Sequence, residues 1–172
     1  AMDIKHIGAL GHSLGARMLA DAAHQHPNWF EAAATLDIGF DTTGDSQKRF
    51  DMPFMHAISA NRIIADEYPV HFELGREGYL VSISPSNKDH DYSKHLNFSD
   101  LTTLQYMPAY KKAVPYLKQM GMDILGDGDG AQIGRFINQY VVTFFNMYLK
   151  GEVSAELKSC HTVTDDSYIQ CG

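Results

Sequence analysis

Short apolar runs alternate with longer amphipathic stretches along this chain, and the two periods separate strands from helices. Lys5 to Leu10 predicts a short strand, and Ala16 to His26 predicts a helix closed by Pro27. Ala32 to Ile38 is a second strand, small at its start and ending on Asp37. A loop rich in Thr, Gly, Asp and Ser covers Gly39 to Lys48, and Pro53 to Ser59 forms the next apolar run. Asn61 to Tyr68 reads as a short helix, Val70 to Leu74 as either helix or strand, and Gly78 to Ser84 as a strand stopped by Pro85. A polar loop from Ser86 to Asn97 leads to Ser99, a good N-cap for a helical region broken by Pro108 and Pro115. Gly126 to Gly130 interrupts the chain as a solvent-exposed turn. Ile133, Phe136, Ile137, Tyr140, Val141, Phe144 and Phe145 then recur at helical spacing to about Leu149, with Gly151 as the stop. That stripe is a core face. Strands alternating with helices predict an α/β fold with a mainly parallel sheet flanked by helices.

Composition narrows the partners. The chain has 172 residues, enough for one domain with a sizeable core, and its 44% hydrophobic and 20% charged residues are ordinary for a globular protein. A net charge of −7 without a basic cluster disfavours nucleic acid and anionic membrane surfaces. No apolar run approaches the roughly 20 residues of a membrane span. Cys160 and Cys171 sit in a polar C-terminal tail, 152–172, after a main domain of residues 1–151. They can bridge in an oxidising compartment or stay as free thiols, which tilts the expected location slightly towards export.

Chemistry enters at Gly11-His12-Ser13-Leu14-Gly15, which matches Gly-x-Ser-x-Gly, the nucleophile elbow between a strand and a helix. Both glycines are expected for steric reasons, to let the turn close and expose the serine Oγ. A hydroxyl is a weak nucleophile at neutral pH and needs a base, itself oriented by an acid. The chain offers these in the order Ser13, Asp37, His95. Asp66 is a rival acid, less favoured because it falls inside a predicted helix, and His90 is a rival base five residues before His95. The remaining histidines are expected on the surface or in the core. The exception is His12, at the variable position of the elbow, which with Phe40 is expected to line a substrate site. The backbone N–H of Leu14 is the one assignable oxyanion donor. Asp-Gly-Asp-Gly at 127–130 lacks the alternate acids and the closing glutamate of a calcium loop. No metal and no cofactor are expected.

The elbow, Leu36-Asp37 at a strand end, and His95-Leu96-Asn97-Phe98-Ser99-Asp100 together resemble the plasma-type platelet-activating-factor acetylhydrolases and the wider dienelactone-hydrolase-like esterases. The resemblance spans about residues 5 to 151. It implies hydrolysis of small carboxylic esters, with short or medium acyl groups, through a Ser-His-Asp triad. It also implies a truncated α/β-hydrolase fold lacking the N-terminal strands, since the family carries about four strands and two helices ahead of the elbow. Ala16 stands where the family often has a second glycine. The missing half would hold the loop that gives the second oxyanion donor. The elbow strand would then have one open edge, so either a homo-oligomer, most simply a dimer, or a partner supplying the missing strands is expected. A catalytically weak half-domain acting as a binding or assembly module is the competing reading.

Overall fold

The computed structural model describes residues 3, 5–38, 50–60, 78–83, 91–122, 124–158, 163–164 and 167–171. Its centre is a six-stranded sheet in the order β1-β2-β3-β4-β6-β5. The first four strands, β1 (Gly8–His12), β2 (Ala32–Leu36), β3 (Phe54–Ser59) and β4 (Gly78–Ile83), run parallel. The fold is therefore α/β with a parallel core, as expected. No helix among the described residues is long and apolar enough to cross a membrane.

Helices cover both faces of the sheet, which is why β2 and β3 read as continuous apolar runs instead of alternating ones. α1 (Leu14–Gln25) packs Leu19, Ala20 and Ala23 against Ala33 and Phe54, with Phe50 stacked on Phe54 at 3.8 Å. On the opposite face, Ala32, Ala34, Leu36, Met55, Ala57 and Val81 meet Ile133, Ile137, Tyr140 and Phe144 of α3 (Gly130–Lys150). Successive strand residues point to opposite faces, so consecutive alanines of β2 serve both cores. The small side chains there let the two helices approach closely.

Several boundaries shift from the sequence expectation, each for a local reason. β1 begins at Gly8 and not at Lys5, because its pairing starts opposite Ala32, and Glu31 donates its N–H to the Ile7 carbonyl. α1 starts at Leu14, directly after the serine, with the Ser13 carbonyl accepting from Ala16 and Arg17. The region after Ser99 is a 3-10 segment, Asp100–Tyr106, followed by α2 (Pro108–Gln119). Pro108 sits in the first turn, where its missing N–H costs nothing. α3 ends at Gly151, φ 71°, as anticipated, while at its start the Asp129 side chain accepts from Gln132 N, a cap the sequence reading did not assign.

Two expectations are corrected. The stretch 126–130 is not simply a solvent-exposed turn. Gly126 and Gly128 are buried against Tyr92, and a Cβ at Gly126 would stand 2.3 Å from the Tyr92 carbonyl oxygen. Only Asp127 and Asp129 within it face solvent. The C-terminal stretch is not only a tail. After α4 (Ala155–Lys158), β5 (Val163–Thr164) and β6 (Ser167–Cys171) form an antiparallel pair, and β6 extends the sheet alongside β4. The elements expected at 61–68 and 70–74, the 39–48 loop and Cys160 lie outside the described residues.

Candidate active site

The carboxyl ends of β1 and β2 and the turn after residue 91 converge on one point, the edge of a parallel sheet where ligand crevices form. Ser13 follows β1 directly and has φ 55° and ψ −124°, a conformation rare for a residue with a Cβ. Holding it there costs on the order of 1–3 kcal/mol, supplied by the surrounding contacts. The Ser13 N–H donates to the Leu36 carbonyl at 3.1 Å, which fixes the turn to the end of β2. Serine at a helix start normally caps the helix with its hydroxyl. Here the side chain makes no capping bond and turns instead towards His95.

The motif's glycines are not equivalent. A Cβ on Gly11 would stand 2.6 Å from the Gly15 carbonyl oxygen and 2.7 Å from the Ala16 Cα, so the backbone crossing excludes any side chain. Gly15 has nothing within 4 Å of a Cβ, so only the first glycine is sterically demanded by the described residues. Ala16, which departs from the resemblance, is fully buried under this crossing.

Asp37 follows β2 in the left-handed region at φ 46°, a conformation that aspartate tolerates better than most residues. Its side chain is buried, and its N–H donates to the Ala57 carbonyl at 2.7 Å. Its Oδ1 accepts from the Ser59 N–H at 2.8 Å, and its Oδ2 lies 2.7 Å from His95 Nδ1. On the other side of that ring, His95 Nε2 is 2.9 Å from Ser13 Oγ. A carboxylate can only accept, so Nδ1 carries the hydrogen and donates to Asp37, leaving the Nε2 lone pair for the serine hydroxyl. Three residues separated widely in sequence thus form one hydrogen-bonded line.

His95 opens a 3-10 turn, His95–Phe98, that the sequence suggested only as a polar loop. Each position of the His-Leu-Asn-Phe segment has a separate task. Phe98 is buried in the core with Met55, Val81 and Ile133. The buried Asn97 side chain accepts from Lys94 N at 2.8 Å and Gly126 N at 2.7 Å, and donates to Thr102 Oγ1 at 3.2 Å. Leu96 N donates to the Ile124 carbonyl, and Ser93 Oγ accepts from Ala60 N at 2.9 Å. The end of β3 therefore ties both to Asp37, through Ser59, and to the His95 segment, through Ser93. Asn97 and Ser93 escaped sequence reasoning. Asn97 stood in the quoted motif without a reason attached, and Ser93 carried no signal.

His12, the last residue of β1, lies against His95: its ring is 4.8 Å from the His95 ring at 27° between planes. Burial pushes its pKa below the ordinary 6.5, partly opposed by its hydrogen bond to the His95 carbonyl. Leu14 is the first residue of α1, so its N–H belongs to the outward-pointing first turn, where an anion is favoured. Phe40, Asp66 and His90 lie outside the described residues. No group of three or more His, Cys, Asp or Glu side chains among the described residues could hold a metal ion. No protein-family model matches this chain, and no curated protein matches it.

Proposed function

We propose that this chain is a serine-dependent carboxylic ester hydrolase acting on small esters with short or medium acyl groups, built on the C-terminal half of an α/β-hydrolase fold. The observation that carries this reading is the unbroken line from Asp37 through His95 to a serine held at φ 55°. Ser13 Oγ attacks the ester carbonyl while His95 Nε2 takes its proton. Asp37 holds the ring's tautomer and balances the imidazolium that forms. The carbonyl oxygen becomes an oxyanion beside the Leu14 N–H. His95 then returns the proton to the departing alcohol, and water, activated by the same ring, releases the acid from Ser13. No metal or cofactor is needed at any step. Hydrolysis of p-nitrophenyl acetate and butyrate by the wild type, with loss of that activity in Ser13→Ala, is the expected result. Ser13→Ala retaining activity within a few-fold of wild type would remove the assignment.

Association belongs to the same proposal. β1 stands at the edge of the sheet and pairs only with β2 among the described strands, with Leu10 52% and Ile7 39% exposed beside it. An open edge strand is a template for pairing. A dimer through β1, or a partner strand laid along it, covers this edge close to Ser13 and can bring the second oxyanion donor. The same open edge supports the competing reading, a weakly catalytic assembly module, and activity measured across a dilution series separates the two.

A further inference from the structure

The histidine before the nucleophile does more than line the site. Its Nε2 is 3.3 Å from the His95 carbonyl oxygen, and its ring is stacked on the His95 ring. A carbonyl only accepts, so Nε2 carries a hydrogen and donates it. One side chain therefore grips His95 twice, by its main chain and by its ring. His12 is itself fixed, because it closes β1 in register with Leu36 and is followed at once by the strained serine.

We propose that His12 is a positioning residue: it clamps His95 in line with Ser13, and the site turns over only while His12 is uncharged. This rests on the serine-esterase reading above. During the reaction the His95 ring becomes an imidazolium, and a neutral aromatic face beside a cation is favourable. A protonated His12 would instead place two cations 4.8 Å apart, ring to ring. The charged groups acting on His12 among the described residues are His95, from its 3-10 turn, and Asp37, from the end of β2; β1 and α1 contribute none. Burial favours the neutral form, which agrees with the role. Protonation of His12 then removes activity on the acid side.

The test compares the whole wild-type chain with His12→Asn and His12→Phe on p-nitrophenyl acetate, measuring kcat, KM and the pH dependence, with circular dichroism confirming the fold. Asn removes the ring; Phe keeps a stacked ring but neither donates nor titrates. His12→Phe is expected to lower kcat about tenfold, the scale of one lost hydrogen bond, and His12→Asn, which loses the stacked ring as well, by more, both with KM within about twofold. Both variants should lose a smaller share of their activity on acidification than the wild type, since neither carries a ring that titrates at position 12. A wild-type kcat in His12→Asn, a change in KM alone, or the full wild-type loss on acidification in His12→Phe would overturn the proposal. Wild-type protein without esterase activity would remove the esterase reading and this role together, whereas an active wild type with unaltered His12 variants would remove only the role of His12.

Discussion

Asn97→Ala tests whether His95 is held by its own turn or only by its hydrogen bonds to Asp37 and Ser13. The substitution deletes two acceptances, from Lys94 N and Gly126 N, and one donation, to Thr102 Oγ1. Gly126 is buried, and water has little access to its N–H. Leaving that donor unsatisfied costs about 1–3 kcal/mol. Lys94 N–H is half-buried and recovers part of its loss from solvent. Together these give about 3 kcal/mol, a large share of the 5–15 kcal/mol typical of a domain. For a chain of this size the midpoint should fall by about 6–12 °C, read by thermal circular dichroism. Asn97→Asp keeps an oxygen facing both N–H groups and should recover more than half of that shift. The catalytic consequence should exceed the stability loss. At a temperature where Asn97→Ala is fully folded, kcat should still drop about tenfold or more, because the turn that aims Nε2 at Ser13 is loosened. A melting point within 2 °C of wild type, or an unaltered kcat in a folded Asn97→Ala, would refute the reasoning.

Other outcomes follow from the same geometry. Asp37→Asn should cost about 10⁴ in kcat, the scale seen when an amide replaces a triad carboxylate, while Asp66→Asn costs far less; steady-state kinetics on both decides the acid, and equal losses would reverse it. Gly11→Ala should be destabilised by more than the 1–3 kcal/mol of ordinary overpacking, because its Cβ meets backbone 2.6 Å away, whereas Gly15→Ala should unfold within about 1 kcal/mol of wild type in urea. Acidification should weaken the fold through His12. Its folded pKa lies below 6.5, so the unfolded chain binds the proton first, and this contribution, complete above 6.5, is lost as pH falls through the folded value; thermal melts of wild type should drop on that side more than those of His12→Phe. Light scattering over a dilution series should show an oligomer whose dissociation lowers esterase activity, and a fully active monomer would remove the edge-pairing proposal.

Local signals in the sequence reach some of this structure and not the rest. The strand-elbow-helix unit is legible because its parts are contiguous: an apolar run, a glycine that the crossing demands, and an amphipathic helix. The α3 stripe is legible because 3.6-residue periodicity is internal to the helix. Ser13, Asp37 and His95 could be named from their order at strand ends, although the distances between them depend on pairing that no single segment encodes. The His95 turn was less legible, since its hydrogen bonds come from Ile124, Gly126 and Ala60, all distant in sequence. β6 was missed for the same reason: Ser167 to Cys171 is only five residues long, without a clear period of its own, and becomes a strand through pairing with β4. The buried glycines at 126 and 128 resemble turn residues, and only the presence of Tyr92 distinguishes them.

The central claim is that Ser13 is an activated nucleophile, and covalent labelling with a fluorophosphonate measures it most directly. Oγ forms the bond to phosphorus, fluoride leaves, and the proton passes to His95. Intact-mass spectrometry should show one phosphonyl group per wild-type chain, mapped to the peptide containing Ser13. Ser13→Ala should remain unmodified, and His95→Ala should react slower by about 10³ or more, as expected when the base is lost. A folded wild-type chain that keeps its mass, or one labelled at another residue, would contradict the account.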